Sequence, residues 1–217
     1  MIINIFKNDK QILLSLIKQK ILTLDETIVA QIMNKIDKNN TKYCHFFITE
    51  IKEFIEKDQI QEIESDLTEI DSDIFNDFDE KRKKGENDSI VCSLIRNDSI
   101  DEFTSLVNEK NLSLLDKIPT SIFDTNSFLL DKEPTLIEYA SFFGSIKIIQ
   151  FLKSKEVELT PSLWLYSVHS NSLELIHYLD ENGLQPPENS FENCFIESIK
   201  CHHNSIANFI QSKLNEQ

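Results

Sequence analysis

The chain has 217 residues, 40% of them hydrophobic, which is enough for a packed core and too many for wholesale disorder. It has only 3 glycines, where average usage gives about 15; this excludes glycine-rich phosphate loops and dinucleotide fingerprints, and with 5 prolines it leaves too few tight turns for an all-β fold. The net charge of −15 divides into −6 over residues 1–90 (13 basic, 19 acidic) and −9 beyond them (9 basic, 18 acidic), so neither half offers the basic surface that nucleic acid or an anionic membrane requires.

The first ten residues contain Lys7 and no uninterrupted apolar stretch, which reads as no signal peptide. From there to residue 60 the pattern is helical. Ile12, Leu13, Leu16, Ile17 and Ile21 form one apolar stripe. Asp25 suits the N-cap of a second helix, on which Ile28, Ile32 and Ile36 recur. Tyr43, Phe46, Phe47, Ile51, Phe54 and Ile55 make a third stripe. Residues 1–60 are therefore read as a bundle of three helices, each of roughly 10–16 residues. Residues 61–85 read as an acidic/basic junction. Glu62 to Glu80 carries nine acidic residues and no basic one, with apolar residues interleaved, and Lys81-Arg82-Lys83-Lys84 follows. The longest stretch without Asp, Glu, Lys or Arg runs from Leu159 to Leu173. Its 15 residues are too few and too polar for a membrane span, which takes about 20.

Residues 86–214 carry a recurring pattern: a small or polar turn residue, then Ser, then Ile or Leu, ahead of an apolar helix. It occurs at Asp98-Ser99-Ile100, Gly144-Ser145-Ile146, Asn171-Ser172-Leu173 and Asn204-Ser205-Ile206. Serine suits the N-cap, and Glu102 stands where a capping box with Ser99 needs it. Asp, Gly and Asn tolerate the left-handed backbone that ends a preceding helix. The unit is thus helix, tight turn, helix, about four pairs with turns at 98, 144, 171 and 204. A pair this short buries its apolar face only by stacking on a neighbour. Each of the four serines is expected to begin the second helix of a pair. Trp164 is expected in the core, because it precedes Asn171 as Ile137 precedes Gly144.

The stretch PTLIEYASFFGSIKIIQFLKSKEVEL at 134–159 resembles an ankyrin repeat. Thr135 matches the start of the first helix, Ala140 its small packing residue, Gly144 the turn, and Ile146, Ile149 and Leu152 the face of the second helix. PSLWLYSVHSNSLELIHYL at 161–179 follows the same pattern with Asn171 at the turn. More specifically, residues from about Tyr43 to Leu214 resemble an ankyrin-associated domain of unknown function found in expanded protein families of protozoan parasites. The phrases GENDSIVCSLIRNDS, SIFDTNSFLL, PTLIEYASFFGSI and SIKCHHNSIANFI carry that likeness. Departures from it are the uneven spacing of the turns, the long stretch Asn111 to Glu133, and Lys200 where the alignment wants a small residue. Members of that family continue into regular repeats, so a chain closing at Gln217 is expected to be a truncated or minimal member.

Chemistry-bearing motifs are sparse. Cys201-His202-His203 with Cys194 invites a zinc reading, but adjacent helical residues point about 100° apart and no CxxC or HxxxH accompanies them. Cys44-His45 is weaker still. The acidic run lacks the glycine and the ligand spacing of a calcium loop. Lys81 to Lys84 reads as local charge balance rather than a nuclear import signal. Asn39, Asn87, Asn97 and Asn111 head Asn-x-Ser/Thr triplets that read as chance matches. No nucleophile elbow, HExxH or P-loop occurs. The expectation is no catalytic, cofactor or metal residue.

The sequence therefore predicts an all-α protein: a helical N-terminal bundle followed by an irregular ankyrin-like helix-turn-helix solenoid. Four cysteines without paired spacing fit a reduced, intracellular and cytoplasmic setting. The function expected is non-catalytic protein–protein interaction with a protein partner carrying basic or aromatic segments; the alternative is a structural N-terminal capping fragment of a longer ankyrin-type protein, with no independent ligand. The resemblance implies partner contacts at the ends of the first helices. The candidates there are Asn97, Phe142, Phe143, His169 and His202, with Asn97, Phe142, His169 and His202 aligned along one edge. Its two histidines titrate near pH 6.5 when unperturbed, so binding is expected to weaken as pH falls.

Overall fold

The computed structural model describes residues 9–36 and 42–216. Among them are fourteen α-helices, one short 3-10 turn and no strand. In chain order the helices are α1 (Lys10–Lys18), α2 (Glu26–Met33), α3 (Tyr43–Ile51), α4 (Lys57–Ile70), α5 (Phe78–Lys84), α6 (Ile90–Arg96) and α7 (Ile100–Lys110). They continue with α8 (Ser127–Lys132), α9 (Leu136–Phe143), α10 (Ile146–Ser154), α11 (Leu163–Ser167), α12 (Leu173–Glu181), α13 (Glu192–Lys200) and α14 (Asn204–Glu216). Among the described residues no helix is long and apolar enough to cross a membrane. Two compact units result: Met1–Ser89 with Pro119–Lys132, and Ile90–Ile118 with Glu133–Gln217.

In the first unit, local signals set the helix starts. The Asp9 carboxylate accepts from Ile12 N at 2.8 Å and that of Asp25 from Ile28 N at 2.8 Å. Glu56 and Gln59 close a capping box on α4. Helices α1, α2 and α3 are 9, 8 and 9 residues long, shorter than their apolar stripes suggest. The first stops because Lys20 turns left-handed at φ 58, so the N–H groups of Ile21 and Leu22 fold back onto Leu16 O; Ile21 is left exposed beyond the helix.

One apolar core joins these helices. Leu13, Leu14, Val29, Ile32, Phe46, Phe47 and Ile51 meet Ile63, Leu67, Ile74 and Phe78, so residues read as a junction supply part of it. Ile122 and Phe123 enter from the segment 119–132. Among the described residues of this unit, two cations are buried, Lys10 and Arg82. Lys10 donates to Ile122 O at 3.3 Å and lies over the Tyr43 and Phe46 rings. Arg82, fully buried, donates to Phe46 O at 2.9 Å, grips both oxygens of Glu50 at 2.6 and 3.0 Å, and bonds Asp79. Lys81 pairs with Asp88 at 3.4 Å. The basic run is thus partly interior.

The second unit is built from helix pairs: α6–α7, α9–α10, α11–α12 and α13–α14. The first helices pack in the order α6, α9, α11, α13, and behind them α7 meets α10 and α12 meets α14. Each pair turns on one left-handed residue. Asp98, Gly144 and Asn171 take it at φ 48, 74 and 53, as their side chains allow. Ser99, Ser145 and Ser172 follow as N-caps of α7, α10 and α12.

The fourth turn is not where the spacing put it. The left-handed residue is His202 at φ 58, and α14 begins at Asn204, with Ser205 as its second residue. Backbone bonds fix this register. His203 N reaches Ser198 O at 3.0 Å, as Ser145 N reaches Ala140 O at 2.9 Å and Ser99 N reaches Leu94 O at 3.0 Å. The small residue four before the turn is therefore Ser198, fully buried like Ala140 and Ser167, and Lys200 is no exception to the pattern.

Cap chemistry also differs from expectation. Only Ser172 accepts through its side chain, from Leu175 N at 3.2 Å. Ser99 makes no side-chain cap bond. Ser145 Oγ instead donates to Ile95 O at 2.5 Å in the preceding pair. The start of α10 is capped from that same pair: the Asp98 carboxylate accepts from Lys147 N at 3.2 Å and Ile148 N at 3.0 Å. Trp164 is fully buried, donates from Nε1 to Leu184 O at 2.8 Å, and meets Phe191 edge-on at 4.9 Å.

Candidate functional site

The ends of the first helices in the second unit carry a connected line of side chains. It begins on α6, where Arg96 Nη1 donates to the Tyr139 hydroxyl at 2.8 Å and the guanidinium lies 6.0 Å over the Phe143 ring. On α9, Tyr139 and Phe143 are 4.8 Å apart, and Phe143 meets Phe142 edge-on at 5.0 Å. Phe142 then stacks on the His169 imidazole beyond α11, at 4.8 Å and 23°. His169 in turn faces α13. Its Nδ1 is 3.3 Å from Cys201 Sγ and its Nε2 is 3.4 Å from Glu197 Oε1. Lys200 holds the other Glu197 oxygen at 3.0 Å.

The five candidate residues fall at different places on this line. Phe142 and His169 are in direct contact at its centre, and Phe143 adjoins them. Phe142 is 8% exposed and Phe143 half-buried, so neither ring projects freely. Asn97 and His202 are exposed and stand beside the line. Arg96, rather than Asn97, occupies the position equivalent to Phe142, two before the turn; with the fourth turn at His202, Cys201 and Lys200 take the places that the spacing assigned to His203 and His202.

Burial sets the protonation of the line. It holds His169 below the ordinary imidazole range, against the pull of Glu197. Titration of His169 therefore starts lower than the pH 6.5 expected of a free imidazole. Burial, then the Glu197 charge, pushes the Cys201 thiol up. His203 is held to Val168 O at 2.7 Å through Nδ1.

His169, Glu197 and Cys201 bring their donor atoms within 4.8 Å of one another, which makes them a metal-capable group. It differs from the consecutive Cys201-His202-His203 weighed in the sequence. Cys194 is buried, and burial pushes its thiol up to about 12. The missed signal was the four-residue step from Glu197 to Cys201, which sets both on one face of α13. The contribution of His169, from another helix pair, had no local signal. Elsewhere in this unit, a shallow cleft of about 230 Å³ lies among Leu114, Leu115, Ile137 and Val157. Of the two carboxylates lining it, Glu138 already accepts from Thr135 N and Ser162 Oγ.

Comparison with protein-family models, with curated proteins and with solved structures finds no match to this chain.

Proposed function

We propose that the chain is a non-catalytic, intracellular protein-interaction module whose second unit is an irregular ankyrin-like solenoid, and that its partner docks on the ends of the first helices. The observation that carries this reading is the line Arg96–Tyr139–Phe143–Phe142–His169, in which side chains of successive helix pairs touch in sequence. Stacked pairs set equivalent positions in a row, and such a row favours an extended partner segment over a closed pocket. Half-buried arginine and aromatic side chains are the types that anchor protein interfaces. The net charge of −15 favours a basic segment and makes its association salt-sensitive.

The test is the double variant Arg96→Ala/Phe143→Ala, compared with the parent chain in affinity capture followed by mass spectrometry. The reading expects specific partners to be lost from a folded variant. Full retention would remove this surface.

The second reading is a capping segment on which a further helix pair stacks. It rests on Ile196 and Ile199 of α13, each 51% exposed. At the equivalent positions of α11, Leu165 is half-buried and Val168 fully buried. Changing both isoleucines to glutamine leaves partner capture intact on the first reading; on the second, the parent chain captures no partner on its helix ends and the change abolishes docking of a supplied helix pair.

A further inference from the structure

We propose that His169, Glu197 and Cys201 bind a single Zn2+ ion, a site independent of whether the proposed partner surface is real. Three different donor types converge here from two helix pairs, with donor atoms inside 4.8 Å of one another. Donors around tetrahedral zinc lie about 3.3–3.8 Å apart, as bonds of about 2.0–2.3 Å dictate. Cys201 Sγ and His169 Nδ1 already have that separation, at 3.3 Å. Glu197 Oε1 is 3.4 Å from the other ring nitrogen, so this carboxylate must turn for one of its oxygens to join an ion held between Cys201 Sγ and Nδ1.

The set is also held in place. The His169 ring is stacked on Phe142, and Glu197 is tethered by Lys200. Three of the four cysteines are buried; Cys201, at the end of α13, is the half-buried one and so the one that solvent reaches. Zinc is the fitting cation because thiolate and imidazole together favour a borderline-soft ion over Mg2+ or Ca2+. On binding, the Cys201 thiol gives its proton to solvent and the thiolate bonds the metal. Three protein ligands leave a fourth position for water or a group from another molecule.

The test uses the untagged full chain under reducing, chelator-free conditions, titrated with Zn2+ and separately with Co2+. The expected results are one equivalent bound, a raised melting temperature, and a thiolate-to-cobalt charge-transfer band. Cys201→Ser and His169→Gln abolish the band, and Glu197→Gln weakens binding by at least about tenfold. His202→Gln, next to the cluster but outside it, leaves both readouts unchanged. Circular dichroism of each variant checks that it is folded. A chain that neither gains stability with Zn2+ nor develops the band overturns the proposal. So does binding that survives Cys201→Ser but is lost in His202→Gln. Rapid alkylation of Cys201 with no metal uptake would instead assign the trio to a thiol nucleophile with its base.

Discussion

The two units solve the burial problem by different means. The first gathers apolar side chains from five helices and the segments between them into one cluster and takes charged groups into it, with Arg82 tied to Glu50 and Asp79 and Lys10 laid against aromatic rings. The second buries hydroxyls instead. Ser141, Ser145, Ser167 and Ser198 are fully or almost fully buried, and each donates to a backbone carbonyl. Small side chains let neighbouring helices approach, and a hydroxyl satisfied by its own helix carries little desolvation cost. An interior charge depends on partners far along the chain; an interior serine depends mainly on its own turn. The first unit should therefore be fragile to loss of a single ionic partner, and the second to errors of shape.

The largest effects should separate the units cleanly. Arg82→Ala leaves Glu50 without its two-pronged partner, and should cost about 3–5 kcal/mol. Trp164→Ala leaves a cavity and an unbonded Leu184 carbonyl, and should cost about 3–5 kcal/mol. Hydrogen exchange read by mass spectrometry should place the first loss in residues 43–51 and 78–84 and the second in 163–181. Uniform loss across the chain in either variant would break the contrast.

A smaller effect is expected at Gly144. A methyl group there sits at φ 74 and meets the Cβ atoms of Ser170 and Ser172 at 3.2 and 3.3 Å. Gly144→Ala should cost about 1–2 kcal/mol in denaturant unfolding. Below it come the caps. Ser172→Ala removes an acceptor of the Leu175 N–H and should cost about 1 kcal/mol. Ser99→Ala removes no cap bond and should stay within about 0.5 kcal/mol. Equal costs at the two serines would show that their difference in geometry carries no energy.

The smallest effect is a pH dependence in the first unit. Burial holds His45 below its ordinary range, against the Asp66 hydrogen bond, with Lys42 and Lys10 adding repulsion. The native state thus resists a proton that the unfolded state accepts. Stability is complete above an unfolded imidazole pKa of about 6.5 and falls as pH drops below it. Asp66, whose carboxyl the Lys42 hydrogen bond holds down, adds a loss only at more acidic pH. His45→Asn should flatten the decline below about pH 6.5 in exchange-protected amides of residues 43–51.

The contrast also explains what the sequence made legible. Turn chemistry is local, so Asp98, Gly144 and Asn171 were readable from residue type and the serine that follows. The fourth turn was misplaced because Asn204-Ser205-Ile206 imitates the pattern, whereas His202 adopts the left-handed backbone. Histidine is among the residues enriched there, and Ser198 four positions earlier was the available clue. The Arg82 cluster was not legible, because Glu50 and Phe46 lie 32 and 36 residues away. The same distance hid half of the candidate site. Phe142 and His169 were each found by position within a pair, but their stacking, and the approach of His169 to Cys201 across 32 residues, depend on how pairs pack.

The Asp98 carboxylate reaches out of its own turn to the free N–H groups of Lys147 and Ile148. Helix α10 thus takes its terminus from the pair before it, while Ser145, its own capping residue, is spent on Ile95 O. The consequence is modularity broken at a known point. A duplication or exchange that copied residues 134–159 without 90–110 would carry a helix with no one to close it. The segment that must be inherited intact is the joint between those two pairs, and recombination that respects loop boundaries alone would cut through it.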